Sequence, residues 1–400
     1  MAKVVVIGGS FAGLTGALEA RRKLGAGHQV TLISKTEDFV YIPSLIWVPF
    51  GWREVSDISL PIKPILDKAG VDFVKDEVTR VVPEDNKVNT AGGEYEYDYL
   101  LVGSGISIRY DLVKGLSAAE HNYSVCTPAH AEHARAGWEE FVRDPGPVVI
   151  GASQGASCMG AAYEFLFNFE YACRKAGIRD RVDITWVTPE PFLGHFGIDG
   201  LAGGETMLKS FMKMFHINYI TSSEIEEITA DRFILKDGRE LPYRYSMIVP
   251  PFNGAKFVRE SGDLGDEKGF IHTDDSYRHE KYPNIFAAGL AVALAPPWTA
   301  PVAMGVPKTG FPSEVTAKVA AHNIARLVRG ETELEEKPMG KIPGMCVMDA
   351  GHKEVIIMSN HLLKPRQAAI MIPNPLANIT KRLLEKYFLW KTRTGKSYLL

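Results

Sequence analysis

Two stretches of this chain repeat one local plan: an apolar run, a glycine-rich turn and a helical pattern. The first is Lys3-Val4-Val5-Val6-Ile7 followed by Gly8-Gly9-Ser10-Phe11-Ala12-Gly13 and LTGALEARRKLG. The second is Pro147-Val148-Val149-Ile150 followed by GASQGASCMG and AAYEFLFNFEYACRKAG. An apolar run too short for a helix, closed by glycines that open one, predicts a buried parallel strand feeding a phosphate cradle. HQVTLISK supplies the next strand, so residues 1–35 read as a complete βαβ unit, its helix ended by Gly25 or Gly27. The fold expected is α/β with two Rossmann-like domains.

The first motif is imperfect. Ser10 stands where a second glycine is usual, a small residue that still lets a pyrophosphate approach the backbone. The second strand ends at Ser34-Lys35 without the usual ribose-binding acid, which leaves the Ser34 hydroxyl for that bond; Glu37 and Asp38 lie further along. A small-residue turn, Gly103-Ser104-Gly105, follows the apolar run YLLV, and a later strand, IFAAG, ends at Gly289. The order is first nucleotide fold, second nucleotide fold, then return to the first.

A net charge of −3 gives no footprint for nucleic acid, and 400 residues suffice for two or three domains. MAKVVVIGG enters a strand at once, so no secretory signal is expected. Residues 285–307 are uncharged, but Pro296, Pro297 and Pro301 fall among them, so a strand and irregular chain are expected in place of a membrane span. Four widely spaced cysteines, Cys126, Cys158, Cys173 and Cys346, form no CxxC, which argues against a zinc ribbon.

GASQGASC admits four readings: an NADH site, a G-x-S-x-G nucleophile elbow, a redox cysteine, or close packing alone. The elbow explains nothing in residues 1–35. NADH would want an acid after the next strand, and Glu190 is there, bracketed by Pro189 and Pro191. Cys158 falls at a helix start, where free N–H groups and the macrodipole favour a thiolate, so a lowered pKa is expected. His130, four residues after Cys126, is a candidate proton acceptor; Cys346 follows a Pro-Gly turn; Cys173 reads as a small buried hydrophobe.

In the tail, residues 377–391 (ANITKRLLEKYFLWK) place Ile379, Leu383, Leu384, Tyr387, Phe388 and Trp390 mostly at helical spacing, with Lys381, Arg382 and Lys386 on the other side. From His361 to Leu400 there are eight Lys/Arg and one acid, Glu385. Such a basic amphipathic helix suits either a membrane interface or the protein's own core.

With these features the sequence resembles the sulfide:quinone oxidoreductases over nearly its whole length. The likeness rests on GHQVTLISK, YIPS, PFGWRE, SVCTPAHAEHA, DPGPVVIGASQGASCMGAAYEF, TPEPFLGHFG, NIFAAGLAVALAPP, GVPKTGF and PGMCVMDAG. It implies an FAD enzyme in which Cys158 and Cys346 form the sulfide-oxidising pair, directly or through bridging sulfur. One of the pair would carry a persulfide, and Cys346 would pass electrons to the flavin and on to a membrane quinone. Cys126 would be auxiliary, in sulfur relay or release, and a candidate anchor for covalent FAD. His130, His195 and Glu164 would handle protons, and Lys308 would lie against the flavin.

The FAD site implied comprises Gly8, Gly9, Ser10, Phe11, Ala12, Gly13, Ser34, Lys35, Pro43, Val78, Gly103, Ser104, Gly105 and Gly289. Val347, where an aromatic is expected, and Tyr387 would border the quinone. The resemblance also implies peripheral attachment to the cytoplasmic membrane surface, and a homo-oligomer is compatible with it. The division expected is 1–108 with 265–330 for FAD, 109–264 for the second domain, and 331–400 for Cys346 and the membrane helix. The rival readings are a type II NADH:quinone oxidoreductase, the flavin subunit of a flavocytochrome sulfide dehydrogenase, and a thiol redox sensor.

Overall fold

The computed structural model describes residues 1–351, 353–374 and 379–399. A five-stranded parallel sheet runs in the order Ile285–Ala287, Tyr99–Val102, Lys3–Ile7, Gln29–Ser34, Asp72–Lys75. The strand order reverses between Lys3–Ile7 and Tyr99–Val102, the place where an open α/β sheet binds its ligand. The first helix, Phe11–Leu24, starts three residues before the expected Leu14 because Phe11, Ala12 and Gly13 of the turn are themselves helical. It ends at Gly25, which takes φ +72° and donates to Arg21.

The second glycine unit lies in a four-stranded parallel sheet, ordered Ile217–Ile220, Ile184–Val187, Val148–Ala152, Tyr245–Val249. Gly151 is required in it: a Cβ there would sit 1.8 Å from the Val187 carbonyl oxygen. The helix Met159–Lys175 then leaves the turn, with Cys158 at its N-cap. A two-stranded contact, Ser107–Ile108 with Phe252–Asn253, runs between the two nucleotide-type units.

The region 285–307 forms the strand Ile285–Ala287 and then irregular chain, as its prolines require. Among the described residues no helix is long and apolar enough to cross a membrane.

The last part is an antiparallel sheet, Gly344–Ala350, Lys353–Ser359 and Ala369–Asn374, followed by the helix Ile379–Arg393. Its first strand carries Cys346 and its backbone reaches the Cys158 helix, where the Asp349 N–H donates to Glu164 at 2.8 Å. Of the expected helix start, Ala377 and Asn378 lie outside the described residues. The helix buries charged and apolar groups together: Lys381, Glu385, Phe388 and Lys391 are buried, whereas Ile379, Arg382, Leu383, Lys386 and Trp390 are exposed. Lys381 pairs with Glu164, Glu385 with Arg53 at 3.0 Å, and Lys391 with Glu314 at 2.5 Å. Lys381 therefore does not lie with Arg382 and Lys386 on a solvated face, because a buried carboxylate holds it inward.

Candidate functional site

The first turn is shaped by missing side chains. Gly8 takes φ +111°, and a Cβ there would meet the Gly103 carbonyl oxygen at 2.4 Å; a Cβ on Gly13 would meet that of Gly8 at 1.9 Å. Gly9 lies against Ser34 and Gly289 against Ala12, each too close for an added methyl. The structure thus brings Gly8, Gly9, Ala12, Gly13, Ser34, Gly103 and Gly289 into one cradle at the sheet's switch point. Ser10 precedes the helix in extended conformation, so the first helical N–H groups are open to a pyrophosphate. The Ser104 hydroxyl, beside Gly105 in the same turn, is buried with no protein partner, a polar group left for a ligand.

The side chains of the other cofactor candidates differ in what they touch. The Phe11 ring turns into the core, 5.0 Å from Phe39 and 6.2 Å from Phe388, so only its backbone serves the cradle. Glu37 pairs with Lys75 at 3.0 Å on the surface, too engaged to replace the ribose acid. Lys35 is exposed, and Pro43 and Val78 are half-buried at the starts of Ile42–Phe50 and Val78–Val82; none makes a side-chain hydrogen bond to the cradle. Ser34 is partly occupied, accepting from the Thr36 N–H at 3.2 Å.

Lys308 donates to the carbonyls of Leu290 and Val292 at 3.1 and 2.6 Å and lies 4.4 Å over the Phe270 ring. Burial pushes this ammonium down to about 8. Two backbone acceptors thus fix a cation at the exit of the Ile285–Ala287 strand.

Cys158 is half-buried at the helix N-cap, and all four cysteines are free thiols. The lowered pKa expected from the helix start does not hold: burial pushes the thiol up, outweighing the Ala161 N–H that favours a thiolate. Cys346 is exposed on its strand, and burial, followed by the charge of Glu164, pushes its thiol up to about 12, opposed by Lys381. Burial likewise pushes Cys126 up to about 12, opposed by Ser124. Negative charge on Cys158 would raise both Cys126 and Cys346. Cys173 is fully buried in mid-helix, apart from this group.

Around the thiols lies an acid–base network. Glu164, on the Cys158 helix, accepts from the Asp349 backbone and the Lys381 ammonium. Burial still raises its pKa, with Lys381 the main opposing influence. Asp349 accepts from Trp47 Nε1 at 2.7 Å and from Gly351 N–H at 2.9 Å, and burial pushes it up to about 7. Lys381 lies 4.8 Å over the Trp47 ring and is the cation that counters charge on Glu164, Asp349 and Cys346 together.

His195 is 2% exposed, with Nε2 3.8 Å from Asp199 and its ring 5.1 Å from that of Trp298. Its Nδ1 is buried without a partner, and burial lowers its pKa. His130 Nδ1 is likewise unpartnered, beside Tyr110 (ring centroids 6.4 Å apart), so no hydrogen bond joins it to Cys126. Val347 is half-buried beside Cys346, and Tyr387 is half-buried with its ring 5.9 Å from Phe388. Phe388 packs on Phe11 of the cradle turn and Lys381 binds the Glu164 that the thiol strand also holds, so one helix touches both regions.

Sequence reading missed Lys381, Asp349, Trp47 and Tyr110. Their roles depend on contacts between distant segments, for which the local pattern carries no signal; the lone acid Glu385 in a basic tail was the nearest hint.

The cradle, the second glycine turn and the thiols between them define an oxidoreductase with two dinucleotide-type domains. A family model described as pyridine nucleotide-disulphide oxidoreductase matches residues 2–306. The sulfide-quinone reductase of Aquifex aeolicus (strain VF5) is 34% identical over 404 residues, spanning 99% of this chain and 92% of that protein. The X-ray structure of the sulfide:quinone oxidoreductase from Aquifex aeolicus matches with a TM-score of 0.94 at 32% identity, covering 99% of this chain and 92% of that one. The mitochondrial sulfide:quinone oxidoreductase of Mus musculus is 27% identical over 89% of this chain and 77% of its own length. The chain belongs to the pyridine nucleotide-disulphide oxidoreductases and, within them, to the sulfide:quinone oxidoreductase family. Its cofactor is FAD, which the cradle fits.

Proposed function

We propose that this protein oxidises sulfide at Cys158 and Cys346 and delivers the electrons to a quinone. The observation that carries the assignment of residues is the contact between the Cys346 strand and the Cys158 helix, where the Asp349 N–H and the Lys381 ammonium both bind Glu164. With the pair oxidised, hydrosulfide bonds to the Cys158 sulfur and the bond to Cys346 breaks. The electron pair leaves on Cys346 as a thiolate, and the proton stays on the new persulfide. Lys381 offsets the charge on Cys346 while Glu164 holds Lys381 in place. FAD, when bound, supplies two-electron transfer between the thiol pair and the quinone. His195 and His130 present free imidazole nitrogens for the protons released as sulfide loses electrons. Cys126, next to Cys158, accepts or releases the growing sulfur chain.

The FAD unit comprises 1–108 and 265–330, the thiol-bearing unit 109–264, and the quinone and membrane unit 331–400. The outward side of the last helix carries Ile379, Leu383 and Trp390. In the adjoining sheet Met345, Met358 and Ile370 stand in register across three strands, all exposed. This apolar surface supports peripheral docking on a membrane, where a lipophilic quinone resides, with Val347 and Tyr387 near its ring.

NADH is disfavoured as donor. Gly155 donates to the Ala303 carbonyl at 2.6 Å and Gly305 donates to Ala156 at 2.9 Å, so the chain itself covers the second glycine turn. The test is anaerobic mixing of the oxidised holoenzyme with sulfide or with NADH. Rapid loss of the visible flavin band with sulfide alone supports the reading, and equal reduction by NADH refutes it.

A further inference from the structure

In a dinucleotide fold the acid after the second strand faces the ribose. Glu190 occupies that place after Ile184–Val187, but it is fully buried and turned inward. One carboxylate oxygen accepts from the Tyr163 and Thr188 hydroxyls at 2.8 and 2.9 Å; the other accepts from the Phe196 N–H at 2.7 Å. The Tyr163 hydroxyl in turn accepts from the Gly194 N–H at 3.1 Å. These bonds grip the chain on both sides of His195.

The gripped turn is strained, although three backbone bonds within it and Arg366 also support it. Phe196 takes φ +54° and Asp199 φ +62°, conformations that side chains resist, and Gly194, Gly197 and Gly200 are also left-handed. Tyr163 belongs to the helix that Cys158 begins, and its ring stacks 4.2 Å from Trp186. The other side of the turn rests on the thiol loop: a Cβ on Gly197 would lie 2.3 Å from the Gly305 carbonyl oxygen, and one on Gly305 would lie 2.7 Å from Ser157 Cβ. His195 is thus held between Cys158's helix and Cys158's loop.

We infer that Glu190 is a positioning residue, a buried strut that fixes the His195 imidazole relative to Cys158 for the sulfide half-reaction. It acts through His195 and touches neither sulfide nor FAD. The inference rests on the reading of His195 as a proton acceptor in that half-reaction. Burial lifts the carboxyl up to about 7. In Glu190→Gln the amide oxygen keeps the bond from Phe196, while the Tyr163 and Thr188 hydroxyls lose their acceptor. Glu190→Ala leaves three buried donors without an acceptor and frees the turn.

The experiment follows sulfide-driven flavin reduction of the holoenzyme by anaerobic stopped flow across sulfide concentrations. FAD content and reoxidation of dithionite-reduced enzyme by quinone are measured in parallel. Glu190→Ala should lower the limiting rate by about a hundredfold, the scale of a displaced group near the reacting atoms, and should leave quinone reoxidation unchanged. Glu190→Gln, which keeps the Phe196 bond and loses the two hydroxyl bonds, should fall between wild type and Glu190→Ala. Tyr163→Phe, which deletes one bridging hydroxyl without opening a cavity, should fall about tenfold and keeps the test intact where the alanine variant does not fold. Combining Glu190→Ala or Tyr163→Phe with His195→Ala should be no slower than His195→Ala alone. Losses that multiply with His195→Ala, a wild-type rate in both Glu190→Ala and Tyr163→Phe, or a parallel loss of quinone reoxidation each overturn the strut. A wild-type rate in His195→Ala overturns the reading of His195 itself, and the strut with it.

Discussion

Replacing Lys381 by methionine removes one buried charge and little volume. Lys381 is 3% exposed and sits on Glu164, which is itself buried and accepts only one further bond, from the Asp349 backbone. Removing one partner of a buried pair costs about 3–5 kcal/mol, because the other charge is left uncompensated. An unfolding entropy of roughly 2.1 cal/mol/K per residue gives about 0.84 kcal/mol/K for a chain of this length. Dividing one by the other predicts a melting temperature about 4–6 °C lower for Lys381→Met. Glu164→Gln with Lys381→Met removes both charges and should recover most of that loss. The chemistry should recover with it, since Glu164 raises the Cys346 pKa more than Lys381 lowers it and the double variant removes both charges. Sulfide-driven flavin reduction should fall at least tenfold in Lys381→Met alone, about one pKa unit of lost thiolate stabilisation. Thermal unfolding monitored by circular dichroism and anaerobic stopped flow supply the two readouts. A Lys381→Met protein as stable as wild type, or a double variant less stable than the single, would refute the buried-pair reasoning.

Cys158→Ser and Cys346→Ser should each slow sulfide-driven reduction by well over about a hundredfold, the scale of a lost nucleophile, with FAD retained and the double variant scarcely worse. Cys126→Ser should be milder and Cys173→Ser near wild type; the largest loss at Cys173 would show the wrong thiols were chosen. Asp349 carries a pKa raised from 3.8 to about 7, so the native state holds an extra proton between those values. Its stabilising contribution is complete below about pH 4 and is lost as pH rises through about 7. Asp349→Asn should therefore flatten the decline of urea stability across that window, and an unchanged slope refutes the assignment. Leu383→Asp with Trp390→Asp should weaken flotation with anionic vesicles and slow reduction of a long-tailed quinone, leaving sulfide-driven flavin reduction intact; undiminished flotation would refute the membrane face.

The parts legible in the sequence were those written in short-range pattern. Lys3–Ile7 and Val148–Ala152 announce themselves as apolar runs, and the glycines after them admit little but a close strand–helix approach. The thiols were legible by position: Cys158 at a helix start, Cys346 after a Pro-Gly turn, Cys173 inside a helical run. Their ionisation was not, because the desolvation that governs Cys158 comes from segments assembled around it. The same holds for Glu190, which sequence position assigns to a ribose and folding assigns to Tyr163, 27 residues earlier. The helix Ile379–Arg393 shows the limit most clearly. Its partners Glu164, Arg53 and Glu314 lie 217, 332 and 77 residues away along the chain, so no window of sequence could reveal which side turns inward.

The orientation of that helix follows from competing magnitudes. Turning Leu383 and Trp390 inward would gain about 1.5–3 kcal/mol for each large apolar side chain removed from water. It would also break the ties of Lys381, Glu385 and Lys391, leaving Glu164 and Glu314 buried without their cations, at about 3–5 kcal/mol for each broken pair. Three pairs outweigh the exposed apolar residues, so these three charges face in beside Phe388 while Leu383 and Trp390 stay out. The cost left over is the one a lipid surface removes, since hydrocarbon accepts Leu383 and Trp390 and asks nothing of the inward charges. The tail is therefore no detachable anchor. One face ties Lys381 to Glu164 on the Cys158 helix, and the other is the face proposed above to meet a quinone-bearing membrane, so that in this proposal a single helix holds both ends of the electron path.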